Sequence, residues 1–203
     1  NTDMPASNLL FFDCETTGLP RIRYFSPEVA DEWPHIVQLA WARYDVRGNA
    51  AAVRCHIVKP EGFTIPLDST RIHGIKDAHA RRVGRDLVEV LDEFLEAAGA
   101  PGTTLVAHNL SYDCGVVGAE LVRTRKPLAF LDLPGICTMK ETTELCALPR
   151  PGGGNGHKWP TLEELHSYCF GFSYEGAHDA ARDLEACARS YFKLVEAGHF
   201  RRP

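Results

Sequence analysis

The clearest pattern near the start of the chain is an apolar run, Leu9-Leu10-Phe11-Phe12, that leads directly into two carboxylates, Asp13 and Glu15. Four consecutive large apolar residues predict a strand buried on both faces, here over residues 8–13. Because side chains alternate along a strand, Asp13 and Glu15 are expected on the same side, where the strand leaves the core. The following Thr16-Thr17-Gly18 supplies turn chemistry.

The rest of the hydrophobic pattern predicts an α/β fold. Further strands are expected over about 36–45, 51–58, 103–107 and 136–138, and helices over about 86–98, 110–125, 138–146, 161–169 and 177–197. A turn at 45–49 makes the second and third strands a hairpin, so the first three strands are expected to be antiparallel. Residues 59–84 are expected to be mostly irregular, with a short helix around 69–72. The alternation of strands and helices that follows predicts a mixed five-stranded sheet flanked by helices.

Composition narrows the class of protein. With 203 residues, 44% hydrophobic and 24% charged, the chain is predicted to form one domain over 1–203, with its core over about 8–198. No apolar run approaches the roughly 20 residues that span a bilayer, and nothing resembles a signal peptide, so no membrane association is expected. Seven scattered cysteines without a CxxC pair predict reduced thiols and a cytoplasmic location. The missing initial methionine predicts that residues 1–3 are a trimmed or added end.

Charge and glycine content exclude some binding modes. A net charge of −5 argues against coating nucleic acid through bulk electrostatics. It leaves a nuclease open, because bound divalent ions reverse the local sign. The glycine-rich stretch 149–158 lacks the phosphate-loop pattern, since His157 separates Gly156 from Lys158 and Trp159 follows. We expect a flexible surface loop there, and no Cys/His group has zinc-ligand spacing.

Three carboxylates in the first part of the chain are candidate metal ligands. Asp13 and Glu15 repel each other at the strand end, and hard oxygen ligands favour Mg²⁺ or Mn²⁺. The alternative is a strand-end turn with both groups solvated. Asp113 lies at the margin of the apolar stripe of the helix over 110–125, where a half-buried carboxylate needs a partner. Its alternative is a first-turn residue that complements the helix dipole.

The last helix carries a carboxylate in an unusual position. Asp183 lies inside the apolar stripe that contains Ala180, Leu184 and Cys187, whereas Asp179 projects roughly 100° away from it. A buried Asp on such a face is costly unless it is paired or bound to metal. His178, just before this helix, is then a candidate general base, although a structural histidine is the alternative.

Together these segments resemble the DEDDh branch of the DnaQ-like 3′–5′ exonucleases. The resemblance rests on Asp13-x-Glu15 after a buried strand, on Asp113 after His108-Asn109, and on His178-x4-Asp183, in that order. Three further segments resemble the family: 71–75 (Arg-Ile-His-Gly-Ile), 136–139 and 158–165. The resemblance extends from Leu9 to Gly198, and the sequence departs from the pattern at none of the five motif positions.

The resemblance implies a ribonuclease H-like three-layer fold whose carboxylates surround two Mg²⁺ or Mn²⁺ ions about 3.5–4 Å apart. It implies that Asp13 bridges both ions, that Glu15 and Asp183 complete the shell of one, and that Asp113 holds the other, directly or through water. His178 would deprotonate the attacking water, and a nucleoside 5′-monophosphate would leave from a 3′ end.

The resemblance also implies substrate contacts. These comprise the backbone around Cys14, Thr16 and Thr17 at the terminal phosphate, and a group near the terminal base: His73, Gly74, Ile75, His108, Asn109 and Tyr112. For His73 the alternative is a turn histidine bonded to the backbone. The basic segment 71–85 is either a path for the substrate backbone or a solvated face. Trp33 and Trp41 are expected to be core or loop anchors.

The sequence therefore predicts a metal-dependent 3′–5′ exonuclease that acts on single-stranded ends, mainly of DNA. An exoribonuclease or oligoribonuclease on the same scaffold is the alternative within the enzyme class, because contacts to a 2′-OH cannot be read here. A non-catalytic nucleic-acid-binding or polymerase-associated module is the alternative from another class, and the five intact motif residues argue against it. A proofreading role beside a polymerase, or a repair partner, is compatible with either activity.

Overall fold

A mixed sheet of five strands organises the computed structural model, which describes residues 8–200. The strands are β1 (Asn8–Thr16), β2 (Ile36–Tyr44), β3 (Arg54–Ile57), β4 (Thr103–Ala107) and β5 (Gly135–Cys137). Their order across the sheet is β3-β2-β1-β4-β5, with β1 antiparallel to β2 and parallel to β4. The predicted sheet is confirmed, and the prediction about residues 1–3 lies outside the described range.

Helices connect and cover these strands. Within residues 8–200 the α-helices are α1 (Leu67–His73), α2 (Asp77–Val83), α3 (Leu87–Ala98), α4 (Leu110–Arg123), α5 (Thr138–Glu141), α6 (Thr143–Cys146), α7 (Leu162–Phe170) and α8 (Ala180–Glu196). Short 3-10 helices lie at Pro27–Glu32 and Ala129–Asp132. A capping box opens α7, where Thr161 and Glu164 satisfy each other's backbone N–H groups.

The sheet lies between two helical layers. Leu9 and Phe11 of β1 pack against α8, whereas Leu10 and Phe12, on the opposite face, pack against α3 and α4. Because side chains alternate along the strand, Asp13 and Glu15 continue the face of β1 that meets α8. This arrangement is the ribonuclease H-like three-layer fold that was expected.

β1 continues past the predicted range 8–13. The backbone of β2 keeps pairing beside it, with Asp13 opposite Ala40 and Glu15 opposite Gln38. Hydrophobicity marks only the fully buried part of the strand, whereas backbone pairing does not require apolar side chains. The two carboxylates are therefore held within a strand, and not in a turn that follows it.

In two regions the structure contains two helices where the sequence predicted one. Residues 59–84 contain α1 and α2 instead of a single short helix. Only Ala80 of α2 is buried, so this helix has no apolar stripe that the sequence could reveal. The helix expected over 138–146 divides into α5 and α6 at Thr142, whose hydroxyl donates to the carbonyl of Thr138 at 2.7 Å.

Two further elements begin or end differently. The last helix begins at Ala180 instead of residue 177, because the carboxylate of Asp179 caps it by accepting from the N–H groups of Ala181 and Arg182. β3 is shorter than the predicted strand over 51–58.

Other predictions concern cysteines, the glycine-rich loop and membranes. All seven cysteines are free thiols, as predicted. The loop over 149–158 lies at the surface, and an isolated bridge joins Pro149 to His157 at its base. No helix in the described part of the chain is long and apolar enough to cross a bilayer. The cytoplasmic location stays a prediction.

We predict that Gly115→Ala destabilises the protein. In an exposed helix alanine is favoured over glycine by about 1 kcal/mol, but a Cβ at Gly115 would overlap the ring of Trp33. Overpacking should lower the free energy of unfolding by roughly 1–3 kcal/mol, measured by urea denaturation. In a Trp33→Leu background the cost of Gly115→Ala should shrink, and an equal cost in both backgrounds would contradict this account.

Candidate active site

The ends of β1 and β4 bring the first three carboxylates together. β4 stops at Ala107, and the neighbouring edge of β1 is left without a strand partner at Cys14. The backbone N–H of Cys14 donates to Oδ1 of Asp113 on α4, at 3.0 Å. Asp113 is only 2% exposed, more buried than the half-buried position predicted for it. This bond ties α4 to the strand that carries Asp13 and Glu15.

The start of α8 supplies the fourth carboxylate. The hydroxyl of Tyr174 donates to Oδ1 of Asp183 at 2.7 Å, and the backbone N–H of His178 lies 3.2 and 3.1 Å from its two oxygens. His178 has a φ of 67°, a left-handed conformation that is uncommon for a non-glycine residue. Asp179 instead caps α8 and accepts from the side chain of Gln38, as expected for the more ordinary of the two aspartates.

The four motif carboxylates and His178 line one cleft of about 280 Å³. Eleven of the predicted site residues border it: Asp13, Cys14, Glu15, Thr16, His73, His108, Asn109, Tyr112, Asp113, His178 and Asp183. The geometry thus brings all five motif residues to a single place. The roles of the individual residues stay predictions.

Three predicted contact residues do not line this cleft. Thr17 is fastened to His35 by hydrogen bonds in both directions, each 3.0 Å long. Gly74 ends α1 with a φ of 76°. The side chain of Ile75 packs into a small apolar cluster with Val37. Substrate contact by any of these three stays a prediction.

The histidines of the cleft wall have defined hydrogen bonds. His108 donates from Nε2 to the carbonyl of Pro160 at 2.9 Å, and its Nδ1 lies 2.9 Å from the Thr138 hydroxyl. Burial lowers the pKa of His108 to about 4, so it is a neutral, structurally engaged ring at neutral pH. His73 accepts the N–H of Ile75 on Nδ1 at 3.1 Å. His73 is thus bonded to the backbone and also lines the cleft.

Burial and mutual repulsion dominate the electrostatics. Burial raises the pKa of Asp13 well above its usual range, and repulsion from Asp113 and Asp183 adds to the effect. Burial, followed by repulsion from Asp183, raises the pKa of Glu15 to about 8. Burial also raises the pKa of Asp113 to about 8, although the N–H donor of Cys14 acts in the opposite direction. Without a cation this cluster cannot carry its full negative charge at neutral pH.

The donor set fits a divalent cation. Ligand atoms of Glu15, His178 and Asp183 lie within 4.8 Å of one another among the described residues. Asp13 and Asp113 border the same cleft and add further carboxylate oxygens, the ligands that Mg²⁺ and Mn²⁺ prefer. The position of His178 in this group makes it a candidate ligand as well as a candidate base.

Sequence reasoning missed several residues of the site. Tyr174 orients Asp183, and Gly18, Leu19, Ser69 and Ile72 line the cleft. On α1, Ser69 lies one turn before both Ile72 and His73, and that helical spacing was the signal that could have linked it to His73. Tyr174 belongs to a loop, where no periodic pattern points to its partner.

The basic segment 71–85 is largely engaged in local contacts. Arg81 binds Asp77 and the carbonyls of Pro60 and Phe63. Arg85 pairs with Glu89 and Glu93. Of the two predicted interpretations, these contacts favour the solvated face over a path for the substrate backbone.

The three-layer fold with an acidic cleft beside β1 is of the ribonuclease H-like class. A family model described as exonuclease, RNase_T, matches residues 10–191. The chain therefore belongs to the RNase_T exonuclease family, a DnaQ-like family, and is an exonuclease domain.

Two similar proteins are named as polymerases. The chain is 27% identical over 197 residues to "DNA polymerase III PolC-type" of Streptococcus thermophilus, which covers 97% of this chain and 12% of the polymerase. It is 29% identical over 195 residues to the protein of the same name from Streptococcus pneumoniae, with 96% and 12% covered. The chain thus spans about an eighth of the length of these relatives.

Solved structures give the same fold. The zinc-bound complex of E. coli exonuclease I with single-stranded DNA matches with a TM-score of 0.73 and 24% identity, over 95% of this chain and 41% of that chain. The E. coli exonuclease I complex with a dT13 oligonucleotide matches with a TM-score of 0.73 and 25% identity, over 94% and 41%. This chain corresponds to less than half of each exonuclease I chain.

We predict that a divalent cation stabilises the protein more at pH 8 than at pH 5. The folded-state pKa values of Glu15 and Asp113 are about 8, against about 4 in an unfolded chain. Between these values the metal-free folded state holds protons that the unfolded chain has lost, so its stability falls as pH rises from about 4 to about 8. A bound cation removes this loss.

Thermal unfolding with EDTA, Mg²⁺ or Mn²⁺ at both pH values measures the effect. The double variant Glu15→Gln/Asp113→Asn should lose most of the pH dependence and of the metal-induced rise in Tm. A larger metal effect at pH 5 would contradict the prediction.

Proposed function

We propose that this domain is a 3′–5′ exonuclease that releases nucleoside 5′-monophosphates from the 3′ ends of single-stranded DNA, with two Mg²⁺ or Mn²⁺ ions. The observation that carries the proposal is the convergence of Asp13, Glu15, Asp113, Asp183 and His178 on one cleft. Membership of an exonuclease family supports the same reaction class.

The carboxylates would hold the cations. The raised pKa values of Glu15 and Asp113 indicate a site arranged for positive charge. When bound, two divalent ions stabilise the attacking and the leaving oxygen of an in-line displacement. Tyr174 and the backbone of His178 keep the Asp183 carboxylate oriented through the hydrogen bonds they donate.

His178 would act as the general base. A ring nitrogen of His178 accepts a proton from the attacking water as the water oxygen bonds to phosphorus. The bond from phosphorus to the 3′ oxygen of the preceding nucleotide breaks, and that oxygen takes a proton from solvent. The φ of 67° at His178 supports this role, because strained non-glycine residues concentrate at functional sites.

Single-stranded DNA is the proposed substrate. Support comes from the fold shared with E. coli exonuclease I, which was solved with single-stranded DNA. The RNA alternative predicts equal or faster hydrolysis of matched oligoribonucleotides, which a direct comparison of substrates distinguishes.

Proofreading beside a polymerase is a second candidate. The relatives named "DNA polymerase III PolC-type" contain a segment that aligns with almost the whole of this chain. A proofreading domain should remove a mismatched 3′ nucleotide from a primer–template faster than a matched one, because unpaired ends reach a single-strand site more readily. Equal rates would argue against this candidate.

We predict that Asp13→Asn lowers turnover by roughly 10³-fold or more, because a charged metal ligand is lost while the side-chain volume is kept. Release of mononucleotides from 5′-labelled DNA with Mg²⁺ or Mn²⁺ measures the rate. Asp179→Asn is the matched control: it makes the same chemical change near the cleft, and Asn also caps helices well, so this variant should retain most activity. Full activity of Asp13→Asn, or no mononucleotide from wild type with any metal, would reject the proposed function.

We predict that His178→Ala lowers kcat by roughly 10²-fold, as expected for a lost general base, while the affinity for Mn²⁺ is retained. Calorimetric titration of Mn²⁺ into wild type and variant measures that affinity. A large loss of Mn²⁺ binding would instead assign His178 as a ligand, in keeping with its distance from Glu15 and Asp183.

A further inference from the structure

A second concave surface continues from the catalytic cleft. This groove, of about 630 Å³, shares Leu19, Asn109 and Tyr112 with the cleft. It then extends along the loop that follows β1, and its lining includes Tyr24 and Trp159. A polymer whose end lies in the cleft therefore meets this groove next.

The groove is cationic in a protein with a net charge of −5. Arg21, Arg23 and Lys140 line it, and no carboxylate does. In the described part of the chain Arg23 and Lys140 form no ion pair, and Arg21 has only a 3.8 Å contact with Glu32 in which both side chains are solvent-exposed. Such cations keep most of their charge available for a ligand. The groove thus differs from segment 71–85, where Arg81 and Arg85 are engaged in ion pairs.

Two large aromatic side chains are exposed along the groove. Tyr24 is 73% exposed and Trp159 is 54% exposed. The Arg23 guanidinium lies 5.3 Å from the centroid of the Tyr24 ring. Single exposed aromatics are ordinary on a protein surface. Here, two of them line the same groove as basic side chains that form no ion pair among the described residues, next to the acidic cleft.

The backbone on both sides of Trp159 is held firmly. Pro160 accepts the hydrogen bond from His108 at 2.9 Å. Lys158 pairs with Glu164, and the capping box at Thr161 fixes the start of α7. An exposed side chain on a fixed backbone loses little conformational entropy when it stacks on a ligand.

The floor of the groove is coupled to the cleft. The Trp33 ring packs against Phe25 and Tyr112, with centroid separations of 5.8 and 6.3 Å. The hydroxyl of Tyr112 in turn lies 2.6 Å from the Thr16 hydroxyl at the cleft. The groove and the cleft are therefore parts of one packed unit.

We propose that this groove binds the single strand on the 5′ side of the nucleotide being removed. Tyr24 and Trp159 stack on bases, while Arg21, Arg23 and Lys140 contact phosphates. Stacking tolerates any base because every base has a π face, and the cations follow the backbone. The direction of the strand rests on the proposed function, since it requires the 3′ end to lie in the cleft.

The test compares two substrate lengths. A thymidine dinucleotide reports on the cleft, and dT8 is long enough to reach the groove. Wild type should show a lower KM for dT8 than for the dinucleotide. Trp159→Ala and Tyr24→Ala should each remove roughly 5- to 100-fold of that advantage, the effect expected of one lost base stack, whereas Trp159→Phe should keep most of it.

Equilibrium binding provides a readout that does not depend on hydrolysis. Anisotropy of 5′-fluorescein-dT8 in EDTA should show the same order of affinities. Arg23→Ala and Lys140→Ala should each reduce the slope of log K against log salt by about 0.7, the value for one lost phosphate contact to a single strand. Tyr168→Ala and Arg47→Ala are matched controls outside both surfaces and should bind as wild type.

The outcomes separate the two proposals. Variant-sensitive dT8 binding without hydrolysis of any substrate would reject the proposed function and keep the groove. If the protein is active but the Trp159 and Tyr24 variants match wild type in KM and binding, the groove proposal is overturned. Failure of wild type to bind dT8 in EDTA, with no length advantage in KM, would overturn it equally and favour a protein partner for this face.

Discussion

Repulsion among buried carboxylates is the constraint around which this structure is arranged. Asp13, Glu15, Asp113 and Asp183 line one cleft, where burial and their mutual charge disfavour ionisation. The chain holds them on three supports: β1 carries Asp13 and Glu15, and the first turns of α4 and α8 carry Asp113 and Asp183. Hydrogen bonds from Cys14 and Tyr174 offset part of the penalty at Asp113 and Asp183. The part of the ionisation penalty that these hydrogen bonds do not offset would be relieved by a bound cation.

The same three elements also fix the positions of the carboxylates in the cleft. β1 lies at the centre of the sheet between β2 and β4, so its carboxylates are fixed by backbone pairing on one side and by α4 on the other. Asp183 lies at the start of α8, and the rest of that helix is anchored in the core beside Phe11. Two non-glycine residues that line the cleft have a positive φ, Asn109 before α4 and His178 before α8. The rigid elements thus carry the cation ligands, while a loop carries the group proposed to move a proton.

The basic side chains fall into two groups according to their position in the fold. Arg81 and Arg123 bind backbone carbonyls or carboxylates and stabilise the fold. Arg23 and Lys140 face solvent beside the cleft. The negative total charge therefore conceals a local cationic surface, which explains why net charge alone is a poor guide to whether such a chain binds nucleic acid.

The sequence by itself determined the order of the strands along the chain, the carboxylates of β1 and the unusual position of Asp183 on its helix. It could do so because the side-chain repeats of about 2 residues in a strand and 3.6 in a helix are local properties of the chain. It also indicated the family through motifs in order. Only the tertiary structure decided that β1 runs to Thr16, since β2 supplies the backbone partners, and that Ile75 turns into the core. Likewise, the hydrogen bond between Tyr174 and Asp183 and the placement of Tyr24 and Trp159 along one groove depend on how loops pack. Loop contacts join residues without any repeating pattern, so chain folding alone brings them together.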